Sequence, residues 1–164
     1  MRIITASPEH FPIIKQIAYD TWPHTFGDIL SSEQIVYMLN WMYDVDSIKK
    51  QVNELGHVFI LAEENDIYYG YASYEIDYKG EPATKIHKIY ILPSAQGKGI
   101  GKALIAYIEV AARQCKNKNL TLNVNRNNKA ITFYERIGFI EVGQEDIDIG
   151  KGFLMQDLIM KKEC

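Results

Sequence analysis

The switch in hydrophobic period on either side of residues 93–101 constrains this 164-residue chain more than any other feature. Before it, Ile89-Tyr90-Ile91-Leu92 closes a strand-like stretch over 84–92 that Pro93 stops. After it, Ile100, Leu104, Ile108, Ala111 and Ala112 recur at helical spacing within about 99–116. Between the two lies Gln96-Gly97-Lys98-Gly99-Ile100-Gly101. A strand that feeds a helix through glycines sets the helix N-terminus, with its unpaired N–H groups and partial positive charge, beside a loop nearly free of side chains. Such a loop admits phosphate oxygens to the backbone, or it simply makes a tight turn with close packing. Lys98 and Lys102 add cationic neighbours to it.

Two familiar phosphate motifs do not fit. A Walker loop needs Gly-x-x-x-x-Gly-Lys-Ser/Thr, and no Lys-Ser or Lys-Thr pair follows at that spacing. A dinucleotide fold needs Gly-x-Gly-x-x-Gly and an acidic residue at the end of the next strand. Here the spacing is Gly-x-Gly-x-Gly, and Leu120 to Asn125 carries no carboxylate.

Periodicity supplies the other elements. Residues 2–5 read as a short strand, followed by a helix over roughly 10–20 with Pro12 in its first turn. Ser31 and Gln34 have capping-box spacing ahead of Ile35, Met38, Leu39 and Met42, and a short helix over 47–55 ends at Gly56. Strands over 58–62 and 67–76 flank the turn Glu64-Asn65-Asp66 as a hairpin. Leu120, Leu122 and Val124 alternate with polar residues as a half-buried strand. A helix over 128–137 stops at Gly138, and two strands near 139–148 and 153–161 close the chain. The sum is one α/β domain over residues 1–164, a mixed sheet with helices on both faces.

Composition narrows the function classes. With 21 acidic against 18 basic residues, the net charge is −3, and no basic stripe marks a nucleic-acid binder. Two cysteines, Cys115 and Cys164, form neither a disulfide framework nor a zinc pattern, and no metal is called for. No apolar run approaches the length of a signal peptide core or a membrane span, so a cytoplasmic, non-membrane protein is expected.

Gln96-x-x-Gly99-x-Gly101 resembles the Arg/Gln-x-x-Gly-x-Gly/Ala signature of the GNAT superfamily of acetyl-CoA-dependent N-acetyltransferases. Asn127-x-x-Ala130-x-x-Phe133-Tyr134-x-x-x-Gly138-Phe139 is similar to that family's second signature, about 30 residues on, and the order of elements matches along nearly the whole chain. The resemblance implies a mostly antiparallel sheet splayed between its fourth and fifth strands. It implies acetyl-CoA as co-substrate, with its pyrophosphate on the backbone of Gln96, Gly97, Lys98, Gly99, Ile100, Gly101 and Lys102, and its pantetheine along the main chain of Ile89 and Ile91. A backbone N–H near Ile91 would stabilise the oxyanion. Asn127 would contact the pantetheine, or else cap the following helix. Tyr134 would hydrogen-bond the departing sulfur.

Where family members often carry a Glu on the fourth strand, this chain has Lys85 and His87. His87, with an ordinary pKa of about 6.5, is the expected base, and a water chain or Glu75 the alternative. For the acceptor, the segment Thr21 to Phe26 looks like the bacterial polyamine N-acetyltransferases of the superfamily. Trp22, His24, Phe26 and Glu75 are the expected acceptor contacts. The favoured acceptor is a polyamine or other small amine. A protein or peptide amine, or a non-catalytic acyl-CoA sensor, are the other readings. Phe153, Met155 and Ile159 are the expected edge of a homodimer.

Overall fold

A computed structural model describes all 164 residues. Strand β1 (Arg2–Thr5) leads to three helices, α1 (Phe11–Phe26), α2 (Ser32–Tyr43) and α3 (Val45–Asn53). Then come β2 (Val58–Glu64), β3 (Ile67–Glu75), β4 (Ala83–Ile91), α4 (Ile100–Gln114), β5 (Asn119–Asn125), α5 (Ala130–Arg136), β6 (Ile140–Gly150) and β7 (Phe153–Glu163). The seven strands form one sheet in the order β1-β2-β3-β4-β5-β7-β6. Every neighbouring pair is antiparallel except β4 and β5. No helix is long and apolar enough to cross a membrane.

Two apolar cores lie on opposite faces of the sheet. One packs Leu104, Ile105, Ile108 and Ala112 of α4 and Tyr134 of α5 onto Ile60, Ala72, Ile86, Leu120, Leu122 and Val124. The other packs Ile14, Ile17, Trp22, Met38, Leu39 and Ile48 of α1–α3 onto Phe59, Leu61 and Tyr71. Alternation along the strands feeds both, because successive side chains point to opposite faces.

Helix α1 was expected to end near residue 20, yet it runs through Pro23 to Phe26. An interior proline costs about 3 kcal/mol. Pro23 itself is exposed, while Trp22 and Phe26, one turn apart, are buried at 1% and 3% exposure. Burying two large apolar side chains at roughly 1.5–3 kcal/mol each offsets the lost bond. At α2, Ser31 accepts the N–H of Gln34 at 3.1 Å. The Gln34 amide instead donates to Leu154 O at 2.9 Å, tying α2 to β7.

Strands β4 and β5 pair only from Ala83 to Ile86 against Asn119 to Leu122, and then part. The parting begins at a bulge: Tyr74 faces Ile86 and Ser73 faces Lys88, so His87 is an extra residue in β4. Bulges bend a strand and re-aim its side chains. Ile86 therefore packs with the α4 core, whereas Lys88 turns to the other face, over the rings of Phe59 and Tyr43. The expected dimer edge is corrected here. Strand β7 has β5 on one side and β6 on the other, so Phe153, Met155 and Ile159 lie on an interior strand and the free edge at that end of the sheet belongs to β6.

Candidate active site

The glycine loop and the first turn of α4 form an array of unpaired donors. Gly97 and Gly99 have φ of +77° and +79°, the left-handed region that glycine enters without steric cost, and a Cβ on either would meet nothing within 4 Å. No hydrogen bond within the chain is donated by the backbone amides of Gly97 through Lys102; the first helical bond runs from Ala103 N–H to Gly99 O at 3.1 Å. Six consecutive N–H groups at a helix N-terminus suit an anion with several oxygens, such as a pyrophosphate. Gly101 does a different job from the other two. It is buried against β4 and α5, so its missing side chain lets α4 pack closely rather than opening the loop.

The gap between β4 and β5 continues from this loop. Leu92 N–H donates to Tyr69 O on β3 at 2.9 Å, and donors alternate sides along a strand. The amides of Ile89 and Ile91 consequently face away from β3, into the gap where β5 has left. Tyr134 borders the same region from α5, packed on Phe133 and Phe139. Its phenol is buried, makes no hydrogen bond to another protein group, and burial lifts its pKa well above the ordinary 10. Asn127 is exposed, and the helix-start bond is made by Asn128 instead, whose Oδ1 accepts Ala130 N–H at 2.9 Å. The Asn127 side chain is left free to meet a ligand.

On the face opposite α4, the gap opens into a cleft of about 400 Å³ lined by Tyr78, Lys85, His87, Thr121, Asn123 and Glu145 among others. Lys85 donates to Asn123 Oδ1. The Asn123 amide donates in turn to Glu145 Oε2 at 3.2 Å and Asp157 Oδ2 at 3.3 Å. Burial lowers the Lys85 pKa, while Glu145 and Asp157 pull it back up. Asp157 is 6% exposed and its Oδ1 is buried without a partner. Burial raises its pKa, against the lowering effect of the Asn123 hydrogen bond. A carboxylate with an unpartnered oxygen and a raised pKa can accept a proton from a donor brought beside it.

Several expected acceptor-side residues are relocated. His87 is no near-neutral base: burial, reinforced by His57, Lys88 and Lys85, drives its pKa down to about 2. Its Nε2 lies 3.0 Å from Glu75 Oε1, so the neutral ring donates to that carboxylate. Glu75 itself is moved up by burial, against Lys85. Trp22 and Phe26 are sealed in the core, with ring centroids 5.6 and 6.3 Å from Tyr90. They back that ring rather than contact an acceptor. His24 is exposed, two residues and hence about 200° around the helix from Trp22. It points to the solvent side of α1, away from the core.

Residues 28–163 match the family described as the acetyltransferase (GNAT) domain. The chain belongs to this family. As a GNAT domain it resembles, over its full length, the PaiA N-acetyltransferase of Thermoplasma acidophilum solved in complex with coenzyme A, with a TM-score of 0.82, 23% identity and 100% of both chains covered. Among curated relatives, the L-methionine sulfoximine/L-methionine sulfone acetyltransferase of Salmonella typhimurium is 31% identical over 93 residues, 55% of this chain and 54% of that protein. The L-amino acid N-acyltransferase MnaT of Escherichia coli is 29% identical over 92 residues, 54% of each. The GNAT chain thus spans about half the length of these two relatives. An uncharacterized N-acetyltransferase in the pepI 3′ region of Lactobacillus delbrueckii subsp. lactis aligns over 99% of this chain and 96% of its own length at 24% identity.

Asp157 escaped the sequence reading. Its signal is a lone carboxylate within Phe153-Leu154-Met155-Gln156-Asp157-Leu158-Ile159-Met160, at the same parity as Met155 and Ile159. Met155 packs on the α1–α3 core and Ile159 lines the cleft, so that parity faces the cleft side of the sheet.

Proposed function

We propose that this chain transfers the acetyl group of acetyl-CoA to the primary amine of a small acceptor, a polyamine or comparable small amine first. The observation that carries the reading is the unbroken run of unpaired amides from Gly97 to Lys102 leading into a gap bordered by Tyr134. Acetyl-CoA supplies the activated acetyl thioester; the chain supplies position and charge. The amides of Gly97 to Lys102 hold the pyrophosphate, the main chain of Ile89 and Ile91 pairs with the pantetheine as a substitute strand, and Asn127 contacts it from the β5 side. The amide near Ile91 takes developing charge on the carbonyl oxygen.

The amine nitrogen forms a bond to the carbonyl carbon as the carbon–sulfur bond breaks. Asp157 accepts the amine proton and Tyr134 donates a hydrogen bond to the leaving sulfur. With its pKa lifted by burial, Tyr134 holds its proton and hydrogen-bonds rather than ionises. Glu75, Glu145 and Asp157 on the cleft side favour a cationic acceptor.

A second acceptor class has its own support. Lys79 and Lys85 line the same cleft, and an amino acid would place its carboxylate there. A thiol-release screen with acetyl-CoA against polyamines, amino acids, lysine peptides and buffer decides. Acetylated polyamine as the main product supports the first reading and acetylated amino acid the second. Coenzyme A binding without release above buffer marks an acyl-CoA sensor and overturns both.

A further inference from the structure

We propose that His57, Glu75 and His87 form a binding site for one zinc-like divalent transition-metal ion at the border of the acceptor cleft. The three residues come from three adjacent strands. His57 immediately precedes β2, Glu75 ends β3, and His87 is the extra residue of the β4 bulge. Val58 pairs with Tyr74, so His57 falls opposite Glu75, and the two imidazoles stack on each other with centroids 3.9 Å apart and planes 14° apart.

The donor atoms converge. Glu75 Oε1 is 3.0 Å from His87 Nε2 and 3.6 Å from His57 Nε2, and one ligand atom from each residue lies within 4.8 Å of the others. A tetrahedral ion with bonds of 2.0–2.1 Å needs its donors about 3.3 Å apart; the two separations from Glu75 bracket that value, and the imidazole-to-imidazole separation is bounded at 4.8 Å. Because nearly parallel stacked rings cannot both aim a nitrogen lone pair at one ion, binding requires the imidazoles to rotate out of their stack about their side-chain torsions. Two imidazoles and one carboxylate select zinc, cobalt or nickel over magnesium and calcium, which take oxygen donors. Such a set also leaves a coordination position open.

The same surroundings set the strength. Lys85 and Lys88 oppose a further cation through the field they share with His87. His57 Nδ1 is buried without a partner. Metal-bound imidazoles ordinarily hold an outer acceptor on the second nitrogen, and lacking one costs 10–100-fold in affinity. Binding is therefore expected to be reversible, and about 10–100-fold weaker than at a site with both outer partners in place. Because His87 also lines the cleft, an occupied site would narrow it and weaken acceptor binding. That consequence rests on the proposed acetyl transfer; metal binding itself does not.

Cobalt(II) titration of the metal-free chain, read by visible d–d absorption, tests the site directly. The expected result is one ion per chain, displaced by zinc(II) and untouched by magnesium(II). His57→Ala and Glu75→Gln should each weaken binding at least tenfold, and His24→Ala should leave it unchanged. Glu75→Gln is isosteric, so it keeps the test valid should His57→Ala fail to fold, as judged by circular dichroism. No saturable cobalt signal, or binding of equal strength in the folded variants, overturns the proposal. Cobalt binding with no acetyl transfer in the amine screen would sink the proposed function and leave the metal site standing.

Discussion

Gly101 on α4 and Ile91 on β4 are in near contact: a Cβ on Gly101 would lie 3.1 Å from Ile91 Cδ1, and 3.2 Å from Phe133 Cζ. This separates two kinds of glycine within one loop. Gly101→Ala crowds β4, α4 and α5; the overpacking cost of about 1–3 kcal/mol less about 1 kcal/mol of helix propensity leaves a net loss of up to about 2 kcal/mol in urea unfolding. Gly99→Ala meets open space but must hold φ near +79°. It should shift the loop amides and raise the KM for acetyl-CoA at least tenfold, with a strain cost near 1 kcal/mol. Equal effects of the two variants on KM would contradict the division.

Tyr134 and Asp157 should fail in different ways. Tyr134→Phe removes a hydroxyl that makes no hydrogen bond within the chain, so folding is kept. Turnover should drop at least tenfold while the KM for acetyl-CoA holds, because only the departing sulfur loses its donor. Asp157→Asn keeps the bond from the Asn123 amide but removes the proton acceptor. It should lower kcat by about 10²-fold, the low end for general-base loss, and remove the acidic limb of the pH–rate profile. An unchanged acidic limb moves the base elsewhere.

Neighbouring asparagines offer a paired control. Asn128→Ala deletes the acceptor for Ala130 N–H and should cost about 1 kcal/mol of stability, leaving the KM for acetyl-CoA nearly constant. Asn127→Ala should do the reverse, raising that KM severalfold at unchanged urea midpoint. The reverse assignment of effects would return Asn127 to a purely structural role.

Acid should weaken the fold through the stacked histidines. Burial lowers His57 to about 4 and His87 to about 2, against about 6.5 unfolded. Below pH 6.5 the unfolded chain takes up protons that the folded chain refuses, so stability is full above that pH and falls as pH drops. The slope is at most about 1.4 kcal/mol per pH unit for each ring. His57 stops contributing near pH 4. Asp157 and Glu75, raised by burial, act in the opposite sense once pH nears their range. The urea midpoint should be lower at pH 5 than at pH 7, and His87→Asn should flatten the difference. An identical drop in His87→Asn would remove the histidine from the account.

What was legible in the sequence was local. The glycine loop, the strand before it, the Asn127 to Phe139 signature and most element boundaries follow from period, capping and turn residues over short windows. The exceptions are instructive: α1 overran its expected end because Trp22 and Phe26 are held from outside the helix, and only the sheet order showed β7 to be interior.

The acceptor side was almost illegible, and the reason is physical. The phosphate recognition proposed for the loop uses backbone amides of consecutive residues, which a linear pattern displays. The proposed proton acceptor and metal donors are side chains brought together from just before β2 and from β3, β4 and β7, and their properties come from burial. His87 reads as an ordinary imidazole until its neighbours strip it of water, and Asp157 reads as one strand residue until packing leaves an oxygen unpartnered. The sequence by itself determined the fold family and the glycine loop, since both rest on local backbone geometry. Tertiary structure alone decided which glycine packs, which asparagine caps and where the carboxylates and histidines meet, because desolvation and cross-strand distance do not exist until the sheet has formed.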